Sequence, residues 1–141
     1  MSTIEEELRR LAAVAEPLRK ATDAANNAIE QANSGIAATA PGIEIWLEEV
    51  IPDGEPGGFG YSIGVAKVKG TWQAALRQCL VQLKGDAFVA LEWTDEPFAL
   101  AEASRELRLV GAALLPNLIR GLTTECQRLL AAKQRATGAS E

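Results

Sequence analysis

The side chains able to do chemistry are few, and one absence narrows them further. The 141 residues contain no histidine. That removes Ser-His-Asp and Cys-His catalysis, imidazole acid–base work and nearly every zinc site. Cys79 and Cys126 lack CxxC spacing and have no imidazole to activate them. Buried free thiols are the expectation, since thiolate reactivity needs a nearby cation or helix N-terminus. Glu48, Glu49, Glu92 and Asp95 fall near expected strand ends. Paired carboxylates run glycosidic chemistry or hold Mg²⁺, so a carboxylate-based, metal-dependent enzyme is one reading. No spaced motif accompanies them, so catalytic and metal-ligating residues are expected to be none. The run Gly54-Glu55-Pro56-Gly57-Gly58-Phe59-Gly60 lacks the Gly-Lys-Ser/Thr ending of a phosphate loop and leads into a strand. It reads as a turn.

The arginines are more informative. Arg105 and Arg108 follow Ser104, an N-cap candidate, in the first turn of the last helix. Cations there oppose the helix dipole. They either pair with acids such as Asp95, Glu96 or Glu102, or serve an anion held by free amides, the Ser104 hydroxyl and two guanidinium forks. Arg77 and Lys67 on the strands could add charge to that site. Tyr61, Trp72 and Trp93 could supply a stacking wall, or simply fill core and interface space.

The elements that must position these groups are legible from periodicity. Residues 3–34 read as one helix capped by Ser2 or Thr3, with Glu5, Glu6 and Glu7 at its positive end. Ile4, Leu8, Leu11, Ala15, Leu18, Ala25, Ile29 and Ala32 step by fours and threes, with Thr22 the polar intruder. That is a heptad seam of about four repeats. Pro17 predicts a kink or break inside it, and Gly35 a stop. A linker of small residues, 36–42, follows.

Residues 43–48 alternate, with Ile43, Ile45 and Leu47 expected inward and Trp46 outward. Strands are predicted over 59–68, 71–83 and 87–93, joined by tight turns at Lys69-Gly70 and Lys84-Gly85-Asp86. The expected sheet is a four-stranded antiparallel meander over 43–93. Gly60 and Gly64 on one face call for close approach of a helix or ligand. Residues 94–103 read as irregular. A second helix spans 104–133, with Val110, Leu114, Leu118, Leu122, Cys126, Leu129 and Leu130 on its apolar face and Pro116 inside. Residues 134–141 read as a disordered tail. The fold class is α+β, a single domain over 1–141.

Gly64, Ala66, Lys67, Gly70 and Trp72, with Ala74-Ala75-Leu76, resemble a hairpin of small uncharacterised bacterial and phage proteins. Residues 103–109 with Leu115-Pro116-Asn117-Leu118 resemble the opening of their last helix. The resemblance covers about 60–122 and implies an α-β4-α arrangement. It names no activity.

The net charge of −5 argues against general nucleic-acid binding, which rests on Lys and Arg neutralising phosphates. No apolar run reaches membrane-spanning length, and the acidic N-terminus lacks signal-peptide character, so a cytoplasmic location is expected. No cofactor is expected. A helix of ~30 residues spans roughly 45 Å, longer than a small sheet is wide. Overhanging apolar stripes need a partner, and another copy of the chain is the simplest one. The expected function is a non-enzymatic homo-oligomeric binding protein, with Ile4, Leu8, Leu11, Leu18 and Ile29 at the interface. The partner could also be another protein or a small anionic ligand. The alternative reading is a phage-type sponge that sequesters an anionic nucleotide signal, with Ser104, Arg105, Arg108, Arg77, Tyr61 and Trp72 as its site.

Overall fold

A computed structural model describes residues 2–39, 41–53, 58–93 and 96–139. The order is α1 (Ile4–Thr39), β1 (Ile45–Asp53), β2 (Phe59–Val68), β3 (Thr71–Lys84), β4 (Ala87–Trp93), β5 (Phe98–Ala99), one 3-10 turn (Leu100–Glu102) and α2 (Arg105–Ala139). The expected α+β architecture is present: a long helix, a four-stranded antiparallel sheet and a second long helix. The strands run β1-β2-β3-β4, and short β5 adds to β3.

Turn chemistry sets the register. Lys69 and Gly70 both have positive φ, 51° and 80°, and join Val68 to its partner Thr71. This is the mirror-image two-residue turn that matches strand twist. Lys84 pairs with Ala87 across Gly85-Asp86, where Gly85 takes φ 66° at the first central position. The register of β1 shifts between Trp46 and Val50.

One sheet face carries the helices. Ile63, Val65, Ala74 and Leu76 meet Ile29, Ile36, Leu115, Leu118 and Leu122 there. The Asn33 side chain accepts the Ala74 amide at 2.9 Å and pins α1 to β3. Arg108 of α2 donates to Asn26 of α1, and the groove farther along joins residues 28–41 to 112–126. Residue numbers rise together on both helices, so α1 and α2 run side by side in the same direction. Each therefore overhangs the other at the opposite end.

Several boundaries differ from the sequence reading. α1 runs past Gly35 to Thr39, because Ile36 is fully buried and anchors the last turn. α1 and α2 continue unbroken through Pro17 and Pro116. α2 reaches Ala139, so 134–139 are helical, whereas the sequence reading put a disordered tail there. Residues 140 and 141 lie outside the described residues. Segment 94–103 contains β5 and the 3-10 turn, with Thr94 and Asp95 outside the described residues.

Candidate functional site

Three places collect the chemistry-bearing residues, and each grows out of a different element. The first is the N-terminal half of α1. The Thr3 hydroxyl accepts the Glu6 amide at 3.2 Å and caps the helix. From Ile4 to Ala21 no residue is buried or half-buried. Ile4 is 79% exposed, Leu8 and Leu11 57%, Val14 65% and Leu18 41%. The same heptad seam continues into Ala25, Ile29 and Ile36, which are buried against the sheet and α2. The seam is thus covered in its second half and bare in its first. Ile29, expected at an intermolecular interface, lies 2% exposed in the chain's own core and is removed from that role. It packs with the strand residues Ile63, Val65 and Leu76, whereas the other four are exposed.

The second is a cleft of about 550 Å³ beside the start of α2, lined by Asn26, Glu30, Asn33, Ser34 and Arg108 among others. Ser104 caps α2, its hydroxyl accepting the Leu107 amide at 3.3 Å. The Arg108 guanidinium donates to the Asn26 side-chain oxygen at 2.6 Å and to the Ala103 carbonyl at 3.1 Å. Among the described residues its partners are neutral oxygens, unlike Glu96 and Glu102 expected from the sequence; Asp95 lies outside the described residues. Glu102 bridges Lys69 instead, at 3.3 Å. Arg105 is exposed and does not line the cleft. Arg108 brings positive charge to the cleft, and Glu30 brings negative charge opposite it.

The third lies on the sheet face away from the helices. Trp46, Gly64, Ser62, Arg77, Cys79 and Trp93 share this face through the strand register. The sheet coils until its outer strands meet there, with the Trp46 and Trp93 rings 5.6 Å apart. The Arg77 guanidinium lies over both, 4.6 Å from the Trp93 ring centre and 5.6 Å from that of Trp46. Such cation–π contacts hold the cation without a carboxylate. Trp46 therefore turns onto a packed face, where the sequence alternation had sent it to solvent. It also explains Gly64, where a Cβ would collide with the Trp46 ring and the Ile45 carbonyl, while Gly60 gives room to Val81 and the Ile51 carbonyl. The close approach anticipated from Gly64 is made by an indole of the same chain. Among the described residues, Trp46 Nε1 and Arg77 Nε are buried there without hydrogen-bond partners. Burial pushes the Cys79 thiol up, and the neighbouring Ser62 hydroxyl opposes this only in part.

No family model matches the chain, and neither a curated protein nor a solved structure matches it.

The six residues grouped as an anion site are not brought together. Tyr61 packs edge-on against Phe98, ring centres 6.1 Å apart, and Trp72 packs on the helix-side core. Arg77 occupies the opposite face. Trp46 was missed as its aromatic partner. The signal for it was Gly64, on the strand that hydrogen-bonds to β1. Glu48, Glu49 and Glu92 are exposed, and Asp95 lies outside the described residues. Among the described residues no three His, Cys, Asp or Glu side chains gather as a metal-ligand set. No helix among them is long and apolar enough to cross a membrane.

An apolar groove between the helices completes the surface. Ala32, Ile36, Leu115, Ile119, Leu122 and Cys126 line it, and its volume is about 790 Å³. Sequence periodicity could not reveal it, because a groove depends on the distance between two helices.

Proposed function

We propose that this protein is a non-enzymatic, homo-oligomeric binding module whose assembly surface is the N-terminal half of α1. The observation that carries the reading is the bare seam of Ile4, Leu8, Leu11 and Leu18, flanked by exposed Val14. Apolar side chains set at heptad spacing along about 21 Å of helix form a continuous stripe, and burying them releases ~25 cal/mol per Å². Most helical stability in proteins comes from packing an amphipathic face, so this projecting segment gains from a packed partner. The test is light scattering after size exclusion at tens of micromolar. An oligomer that falls to a monomer on Leu8→Glu plus Leu11→Glu supports the reading, and a monomeric wild type removes it.

A second reading, capture of a small anionic ligand such as a nucleotide signal, is favoured by one observation. Arg108 sits in a cleft with only neutral oxygen partners among the described residues. Glu30 on the same cleft opposes an anion, which ranks this reading second. Thermal shift with nucleotides and cyclic dinucleotides tests it. Stabilisation that disappears in Arg108→Ala supports it, and no stabilisation by any of them removes it.

A further inference from the structure

We infer that the bare half of α1 pairs with the same segment of a second copy, antiparallel, in a single register centred on residue 13. The inference rests on the self-association proposed above and specifies its geometry. The direction of the seam comes first. The bare residues continue the line of Ala25, Ile29 and Ile36, which face the chain's own core. A partner on the bare half therefore lies level with the sheet, just past its end. A second α1 placed there seam to seam faces the opposite way, and its own sheet extends away from the first molecule. Both copies then use the same patch, so the contact closes as a two-fold dimer and cannot grow into a filament. The outer groove between the helices offers no such closure. It opens beside the covered half of the seam, between α1 and α2, so filling it with a second copy's α1 would leave that copy's groove free for a third.

The register follows from packing and charge. In an antiparallel pair, residues of the two seam columns meet one from each column. Setting Leu8 against the partner's Leu18 places Leu11 against Ala15 and Ile4 against Thr22. Thr22 is where the helix first becomes half-buried. The partner's first turn thus ends where the chain's own body begins, and the whole bare length is covered. Ala12 from each copy flanks the two-fold axis on one side and Val14 on the other. Small residues at 12, 13 and 15 let the backbones approach closely.

In this register Glu5 flanks the partner's Arg19 at both ends of the pair, and flanking charges set orientation in helix pairs. Arg19 already bonds Glu16 of its own helix, through one terminal nitrogen at 2.5 Å. Its remaining N–H groups can donate to a second carboxylate. A parallel pair would instead bring Glu5, Glu6 and Glu7 of both copies to one end and leave Arg19 beside Val14. The neighbouring antiparallel register, one heptad shorter, pairs Glu5 with Ala12 and leaves Leu18 bare.

Cross-linking of the full-length chain in a Cys126→Ser background tests the geometry. Mild oxidation of a mixture of Leu8→Cys and Leu18→Cys chains should give the mixed covalent dimer, and Ala12→Cys should link to itself. Leu8→Cys alone should not. Self-linking of Leu8→Cys, or a light-scattering dimer that none of these pairs captures, overturns the antiparallel pairing while leaving self-association intact. A wild type that is monomeric overturns the self-association itself. Charge exchange gives an independent check. Arg19→Glu should weaken dimerisation by roughly three- to tenfold, the scale of losing two exposed ion pairs. Adding Glu5→Arg should restore it, and failure to restore overturns the register. Both positions are fully outside the core, so circular dichroism should show unchanged helix content in each variant.

Discussion

Glycines separate into those that hold a neighbour's place and those that hold nothing. At Gly64 a Cβ has no room between the Ile45 carbonyl and the Trp46 ring. Gly64→Ala should therefore destabilise by ~1–3 kcal/mol in denaturant unfolding, the cost of overpacking against backbone. Gly35 is the opposite case: it is helical, and a Cβ there meets nothing within 4 Å. Gly35→Ala should stabilise by ~0.5–1 kcal/mol, because alanine loses less backbone entropy in a helix. The two thiols divide in the same way. Cys79 is fully buried and Cys126 half-buried on the helix groove. One thiol per chain should react quickly with a disulfide reagent, and Cys126→Ser should abolish that fast phase. Burial raises the Cys79 pKa, so the fold favours its neutral form. That contribution is present below the ordinary thiol range and is lost as pH rises through it. Cys79→Ala should flatten the alkaline limb of a stability-versus-pH curve, which thermal unfolding between neutral and strongly alkaline pH will read.

At the scale of elements, α1 is two objects on one helix. Its second half is anchored by Ile29, Ile36 and the bond from the Ala74 amide to Asn33. Asn33→Ala leaves that strand amide without its acceptor and should cost ~1–3 kcal/mol. The first half contributes no buried residue to the chain's own core. Polar substitutions at Leu8 and Leu11 should therefore leave the denaturant midpoint of the dilute monomer unchanged while removing self-association. The sheet is held from both sides. The helices cover one face, and on the other Trp46 and Trp93 close over small residues, with Arg77 laid across the rings.

For the whole molecule, the parallel offset helices create a polar assembly unit. One end carries the bare seam of α1. The other carries the end of α2, where Leu129 and Leu130 are 42% and 60% exposed. Under the proposed pairing through α1, folding is linked to mass action. The thermal midpoint should rise with protein concentration across a hundredfold dilution series, and this slope should vanish in the Leu8→Glu, Leu11→Glu variant.

The sequence by itself determined the elements and their order. Heptad steps marked α1, period-two runs marked the strands, and Lys69-Gly70 and Lys84-Gly85-Asp86 marked the turns, because each of these is a local preference of a few neighbouring residues. It also marked the seam and, through Gly60 and Gly64, a close approach. Only the tertiary structure decided what approaches. Trp46 reaches Gly64 because the strands twist and coil, and no alternation pattern records that curvature. Pro116 does not break α2, because packing of Leu115, Leu118 and Leu122 into the core outweighs a single missing backbone bond, whereas Pro17 leaves α1 unbroken with no such packing beside it. The six-residue anion site came apart because strand register put Arg77 on one face and Tyr61 and Trp72 on the other. The seam itself was visible throughout, but its division into a covered half and a bare half was not. That division depends on where the sheet ends beneath the helix, a distance between elements far apart in the chain.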